Sequence, residues 1–149
     1  MGPDLVLDIP NDLNSIEEAV EFVMERCPAC GEDPRELRLN LRVGLAEALA
    51  NAMLYGNGPD PSKRVKMEVA FKDSTITARI TDEGTGFDPG TVPDPTCPRN
   101  LLKTNGRGIF LMRKLLDEVH FNDRGNSVTL VLRLPREEPG SKPGGEATA

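Results

Sequence analysis

Between residues 64 and 82, apolar and polar positions alternate with a period of two. Val65, Met67, Val69 and Phe71 interleave with Lys66, Glu68 and Ala70. Beyond Lys72-Asp73-Ser74, Ile76, Ala78 and Ile80 interleave with Thr75, Thr77, Arg79 and Thr81. Successive strand side chains point to opposite faces, so this pattern predicts two antiparallel strands, each with one face buried and one wet. Leu5-Val6-Leu7-Asp8-Ile9 predicts a short strand stopped by Pro10. Residues 118–123 and 127–134 predict a last hairpin turning at Arg124-Gly125-Asn126, with Val128, Leu130, Leu132 and Leu134 buried.

Helical periods fill the intervening segments. Ile16, Ala19, Val20 and Val23 follow Ser15 and Glu18, which stand in capping-box spacing. Cys27-Pro28-Ala29-Cys30-Gly31 breaks that helix. The next start carries Asp33 as cap, Pro34 in the first turn and Glu36 at the third position. This helix is expected from about residue 34 to 55. Leu37, Leu41, Leu45 and Ala48 or Leu49 form its buried stripe, and Arg35, Arg38 and Arg42 face water. Gly56-Asn57-Gly58-Pro59 ends it. A third helix is expected from Gly108 to Leu116, burying Ile109, Met112 and Leu116. Residues 83–107 show no period and are rich in Gly and Pro, which marks a functional lid or a disordered segment. Residues 135–149 have the composition of a disordered tail. The expected fold is one α+β domain over residues 1–134. It is a two-layer sandwich, with a mixed, mostly antiparallel sheet of about five strands and three helices on one face.

Composition narrows the function classes. The 149 residues suit one domain, and a hydrophobic share of 38% suffices for one core. No stretch nears the roughly 18 apolar residues of a membrane span. Met1-Gly2-Pro3-Asp4 shows neither a basic leader nor an apolar run after it, so no secretory signal is expected. The net charge of −6, with no basic tract, disfavours general nucleic-acid binding. Three cysteines, an odd number, argue against a secreted disulfide scaffold, and a cytoplasmic protein is expected.

Three separated segments carry candidate chemistry. Glu47, Asn51 and Tyr55 are spaced i, i+4 and i+8, along one side of a helix whose small neighbours Gly44, Ala48 and Ala52 leave room beside them. Alone, the segment reads equally as an Ala-rich helix with a polar edge. In Asp82-Glu83-Gly84-Thr85-Gly86-Phe87, Asp82 shares the parity of Ile76, Ala78 and Ile80 and therefore points to the helix-covered face. A carboxylate there needs a donor, such as the exocyclic amine of adenine. Gly84 and Gly86 allow close approach. A turn with an Asp cap is the alternative. In Asn105-Gly106-Arg107-Gly108, glycines at a helix start expose amide donors suited to phosphate, with Lys103, Asn105 and Arg107 as further donors. A flexible loop ending in a helix cap fits the same residues.

Taken in order, the blocks GLAEALANAMLYGN, ITDEGTGFDP and GRGIFLMRKLLDEVHF resemble the GHKL superfamily of ATPases, over roughly residues 5–134. Within it the sequence is most similar to the stand-alone serine kinases that act as bacterial anti-sigma factors. The resemblance implies ATP and magnesium as cofactors. It implies that Asn51 binds the magnesium ion bridging the phosphates, an oxygen ligand that suits a hard cation. By the same resemblance Glu47 is the general base, Asp82 reads adenine with Gly84 and Gly86 against the base, and Gly106, Arg107 and Gly108 close over the phosphates. Residues 88–105 become an ATP lid. Many such kinases carry His where this chain has Tyr55. A phenol can still pack and donate a hydrogen bond, so nucleotide binding is expected to survive, while membership of the stress-response or sporulation subgroups is put in doubt.

The implied function is serine/threonine phosphorylation of a small anti-sigma-factor antagonist of the STAS type. A sigma factor or another effector is the second partner, and the resemblance leaves a homodimer open. The alternatives are a nucleotide-binding interaction module without kinase activity, and the catalytic domain of a larger histidine kinase. Glu47 speaks against the first, since binding alone needs no base. Element signals that begin almost at Met1, without a histidine-bearing helical hairpin, speak against the second. Cys27 and Cys30 have redox or zinc spacing, but no second pair exists. A zinc site of Cys27, Cys30, Cys97 and His120 is disfavoured, because His120 is expected on the wet face of its strand.

Overall fold

A computed structural model describes residues 2–27, 35–84 and 104–133, and the side chains of 35–37 and 104–107 are not described. The element order is β1 (Leu5–Pro10), α1 (Ile16–Arg26), α2 (Arg35–Asn51), β2 (Arg64–Lys72), β3 (Thr75–Asp82), α3 (Thr104–Leu115), β4 (Glu118–Phe121) and β5 (Ser127–Arg133). The strands form one sheet in the order β1-β2-β3-β5-β4. All four pairings are antiparallel, so the expectation of a mixed sheet is corrected.

Alternation along the strands becomes burial along the sheet. Val65, Met67, Val69, Ile76, Ala78, Ile80, Val128, Leu130 and Leu132 are buried on one face. Leu41, Leu45, Ala48 and Leu49 of α2 press onto that face, joined by Val20 and Val23 of α1 and by Ile109 and Met112 of α3. Removing such side chains from water supplies most of the drive to fold, about 1.5–3 kcal/mol for each large one. The β2–β3 hairpin turns on Asp73 and Ser74, both left-handed with φ of 53° and 60°, while Lys72 still pairs with Thr75. Two consecutive left-handed residues give the turn the twist that matches its strands.

Several element ends differ from expectation. Ser15 makes no side-chain cap; Asp12 caps a preceding 3₁₀ turn at Leu13–Ser15 by accepting from Asn14 N–H at 3.0 Å. Regular α geometry in α2 stops at Asn51, not at residue 55. A π-helical turn, Ala52–Asn57, follows it. Helix α3 begins at Thr104, four residues before its expected start, and β4 ends at Phe121. Arg42 does not simply face water: it pairs with Glu21 and ties α2 to α1, and the guanidinium holds the Glu21 carboxyl below its ordinary range. The expected cap at Asp33, Pro34 and Glu36, the Leu37 contact, Cys30, Cys97, Leu134 and the 135–149 tail lie outside the described residues. No helix among the described residues is long and apolar enough to cross a membrane.

Candidate functional site

Asp82 is the last residue of β3 and the last to pair with β2, opposite Val65. Its side chain follows Ile80 into the helix-covered layer, and the residue is only 7% exposed. Three successive amides then find three different partners. Asp82 N–H donates to the Asn126 carbonyl at 2.9 Å. Glu83 N–H donates to Asn57 Oδ1 at 2.7 Å, and Gly84 N–H to Asp82 Oδ1 at 2.8 Å. Burial pushes the Asp82 carboxyl above its ordinary value, and the Gly84 amide pulls it back only in part.

The space beside this carboxylate exists because two residues lack side chains. A Cβ on Gly56, in the π turn, would stand 2.2 Å from Asp82 Oδ2. A Cβ on Gly84 would stand 1.8 Å from the Gly56 carbonyl oxygen. The π turn therefore lays its backbone directly against the end of β3.

The third segment arrives on α3. A Cβ on Gly108 would lie 2.7 Å from Glu47 Oε1 and 3.5 Å from both amide atoms of Asn51. Glu47, Asn51 and Gly108 are thus neighbours across the α2–α3 contact. Asn51 Nδ2 is buried without a hydrogen-bond partner. A buried donor left unpaired costs about 1–3 kcal/mol, which an acceptor such as a phosphate oxygen or a water would relieve. A cavity of about 20 Å³, lined among others by Asn51, Asp82, Met112 and Asn126, joins the helix side of the site to the strand side.

Five of the residues singled out in the sequence are thereby brought to one region: Glu47, Asn51, Asp82, Gly84 and Gly108. Gly106 sits within α3, not in the loop before it; Gly108, expected as the first residue of the helix, is its fifth, and the last residues of the expected 88–105 lid, Thr104 and Asn105, belong to its first turn. Tyr55 is 45% exposed and is absent from that cavity's walls, because the π turn breaks the i, i+8 alignment of a regular helix. Gly86, Lys103, the rest of the lid and the side chains of Asn105 and Arg107 lie outside the described residues. Gly56 and Asn57 were legible only as a helix stop. Their contacts to Asp82 and Glu83 make them part of the site. His120 is exposed and bonded to Glu118 Oε1 at 2.7 Å. Among the described residues no His, Cys, Asp and Glu group could hold a metal by itself.

The donor set fits a magnesium nucleotide. Asp82 offers a buried anionic acceptor between two glycine backbones, and Asn51 offers a hard amide oxygen beside an orphaned donor. The family model described as "Histidine kinase-like ATPase domain" matches residues 9–132. The chain belongs to that family.

Other likenesses agree with membership of the histidine kinase-like ATPase family. A serine-protein kinase RsbW of Listeria monocytogenes serotype 4a is 24% identical over 98 residues, which cover 61% of this chain and 62% of the relative. The RsbW of Oceanobacillus iheyensis is 25% identical over 105 residues, covering 66% of each chain. An anti-sigma F factor of Geobacillus stearothermophilus is 29% identical over 98 residues, covering 61% of this chain and 64% of the relative. The chain thus spans less than two thirds of the length of these curated relatives. Among solved structures, the RsbU and RsbW domains of Rv1364c from Mycobacterium tuberculosis share this fold. The TM-score is 0.56 at 17% identity, over 91% of this chain and 34% of that one.

Proposed function

We propose that this domain is an ATP- and magnesium-dependent serine/threonine protein kinase. Its substrate would be a small STAS-type antagonist protein, in a switch where a sigma factor or another effector is the competing partner. One observation carries the proposal: Glu47 and Asn51 meet Gly108 of α3 in the same layer where Asp82 is buried between Gly56 and Gly84. A binding module needs an acceptor for the base and donors for the phosphates. It does not need a carboxylate such as Glu47 beside the metal-binding amide, whereas phosphoryl transfer to a hydroxyl does.

In this reading the Asp82 carboxylate accepts from the adenine amine. Asn51 supplies the oxygen for magnesium, which when bound neutralises the charge of the phosphates. Backbone amides of the first turn of α3, including that of Gly106, face the phosphates with the positive end of the helix, and Gly108, one turn in, keeps the helix surface open beside Glu47 for them. Arg107, Asn105 and Lys103 add donors, Gly86 lies against the base, and residues 88–105 act as the lid. Tyr55 borders the nucleotide. Glu47 orients the attacking hydroxyl and takes its proton. Phosphorylation adds about −1.5 to −2 charges to the antagonist. Facing a protein of net charge −6, that charge weakens the complex and frees the antagonist.

Incubating the chain with γ-labelled ATP, magnesium and the STAS-type protein of its source cell tests this. Label on a serine or threonine of the antagonist is expected. ATP binding without transfer would reduce the protein to a nucleotide-dependent interaction module.

A further inference from the structure

Asn57 and Asp82 are the polar side chains that are fully buried among the described residues, and one peptide separates their effects. Asn57 closes the π turn, directly after Gly56, and every hydrogen of its amide is committed. Nδ2 donates to the Arg64 carbonyl at 3.0 Å and to Asn11 Oδ1 at 3.3 Å. Oδ1 accepts from Glu83 N–H at 2.7 Å. An N–H can only donate, so this bond fixes which end of the amide points to the strand. Asn11 in turn donates to the carbonyls of Gly58 and Asp60, at 2.8 and 2.9 Å. The exit of β1, the turn after α2 and the start of β2 are laced together here, and the residue that follows Asp82 is held twice: its main-chain N–H by the Asn57 oxygen, and its side-chain Oε1 by the Arg64 N–H at 2.9 Å.

Resting on the reading of Asp82 as the adenine acceptor, we propose that Asn57 is a positioning residue for base recognition. By holding Glu83 N–H, it orients the peptide between Asp82 and Gly84, and so aims the carboxylate that those two residues define. Past residue 82 the ladder with β2 has ended; Arg64 N–H at the start of β2 holds only the Glu83 side chain, which leaves the main-chain N–H to Asn57. Asn57 also follows Gly56 in one turn that continues from Asn51. The metal-side helix and the base-side strand are therefore joined through this side-chain amide as well as through the backbone contact of Gly56 with Gly84.

A purely structural role would lower stability and affect all nucleotides alike. Base selection separates the two. Affinities of the full chain for ATP and for ITP, which lacks the exocyclic amine, are measured with magnesium by calorimetry, beside Tm. The parent chain is expected to prefer ATP by about tenfold or more, the worth of one charge-assisted hydrogen bond. Asn57→Ala is expected to lose most of that preference. Asn57→Asp keeps an acceptor for Glu83 N–H but loses the donors and sets a carboxylate against the Arg64 carbonyl and Asn11 Oδ1, and Asn11→Ala cuts the lacing without touching Glu83. Both are expected to keep the preference at a reduced Tm. If Asn57→Ala does not fold, the near-isosteric Asn57→Leu, which also removes the acceptor for Glu83 N–H, takes its place with the same loss of preference expected. The proposal is overturned if Asn57→Ala retains the preference, if it weakens ATP and ITP equally, or if Asn57→Asp or Asn11→Ala loses the preference. A parent chain that binds both nucleotides alike overturns base reading by Asp82 and this proposal with it, while one that binds neither removes the nucleotide function itself.

Discussion

The carbonyl oxygen of Gly56 occupies the place where a side chain on Gly84 would begin, 1.8 Å from the position of its Cβ. The neighbour is backbone, so it cannot swing aside as a side chain would. Gly84→Ala is therefore expected to destabilise by about 3 kcal/mol or more, since relief requires moving the π turn or the end of β3. Gly56→Ala meets the Asp82 carboxylate instead. It is expected to cost less stability and more nucleotide affinity. Chemical denaturation and nucleotide titration of both variants, side by side, check the contrast.

Asp82→Asn keeps the shape of the side chain and an oxygen for Gly84 N–H, but removes the charge. Nucleotide affinity is expected to fall about 10- to 100-fold. Without nucleotide, the same change is expected to stabilise at neutral pH. Burial raises the carboxyl pKa in the folded state, so the folded protein binds this proton more tightly than the unfolded chain. The stability from Asp82 is present in full below the ordinary aspartate value and is lost as pH rises through the raised one. The gain from Asn should accordingly be full at pH 7 and vanish on acidification through that window. Thermal melts of both proteins across pH check it, and a variant less stable than the parent at pH 7 would contradict it.

Glu47→Ala is expected to bind nucleotide within a few-fold of the parent and to lose antagonist phosphorylation by about 100-fold or more. Equal loss of binding and transfer would place Glu47 among the binding groups and remove it as base.

Ser74→Gly tests a position remote from the site. Asp73 and Ser74 both hold left-handed backbone, which costs a side-chain-bearing residue about 1–2 kcal/mol. Glycine removes that cost at 74 but loses about 0.5–1 kcal/mol of chain entropy. A net gain near 0.5 kcal/mol, or about 2 °C in Tm, is expected, with nucleotide affinity unchanged.

The strands could be read from the sequence because one-sided burial leaves a period of two, and residues 65–71 and 76–82 show it on either side of the turn. The buried stripe of α2 and the inward parity of Asp82 follow from the same logic. What escaped was set by contacts between distant segments. Gly106 reads as the end of a loop, yet α3 runs through it, and at Gly108 the missing side chain is what lets Glu47 approach. Asn57 sits in a Gly-Asn-Gly string that announces only a stop. Its bonds run to residues 11, 64 and 83, and none of these partners is visible in a local window. Capping moved from Ser15 to Asp12 because the chain enters α1 through a 3₁₀ turn.

The π turn at Ala52–Asn57 makes the number of residues a heritable constraint, apart from their kind. Deleting one of them would let the remainder wind with ordinary α spacing, and each later residue would swing by about 100° around the axis. Gly56 would then no longer abut Asp82, nor would Asn57 reach Glu83, although every named side chain survived. Substitutions in this stretch can be graded, while a one-residue gap or insertion should act as all or nothing. Natural variation here is therefore expected to change letters and preserve count.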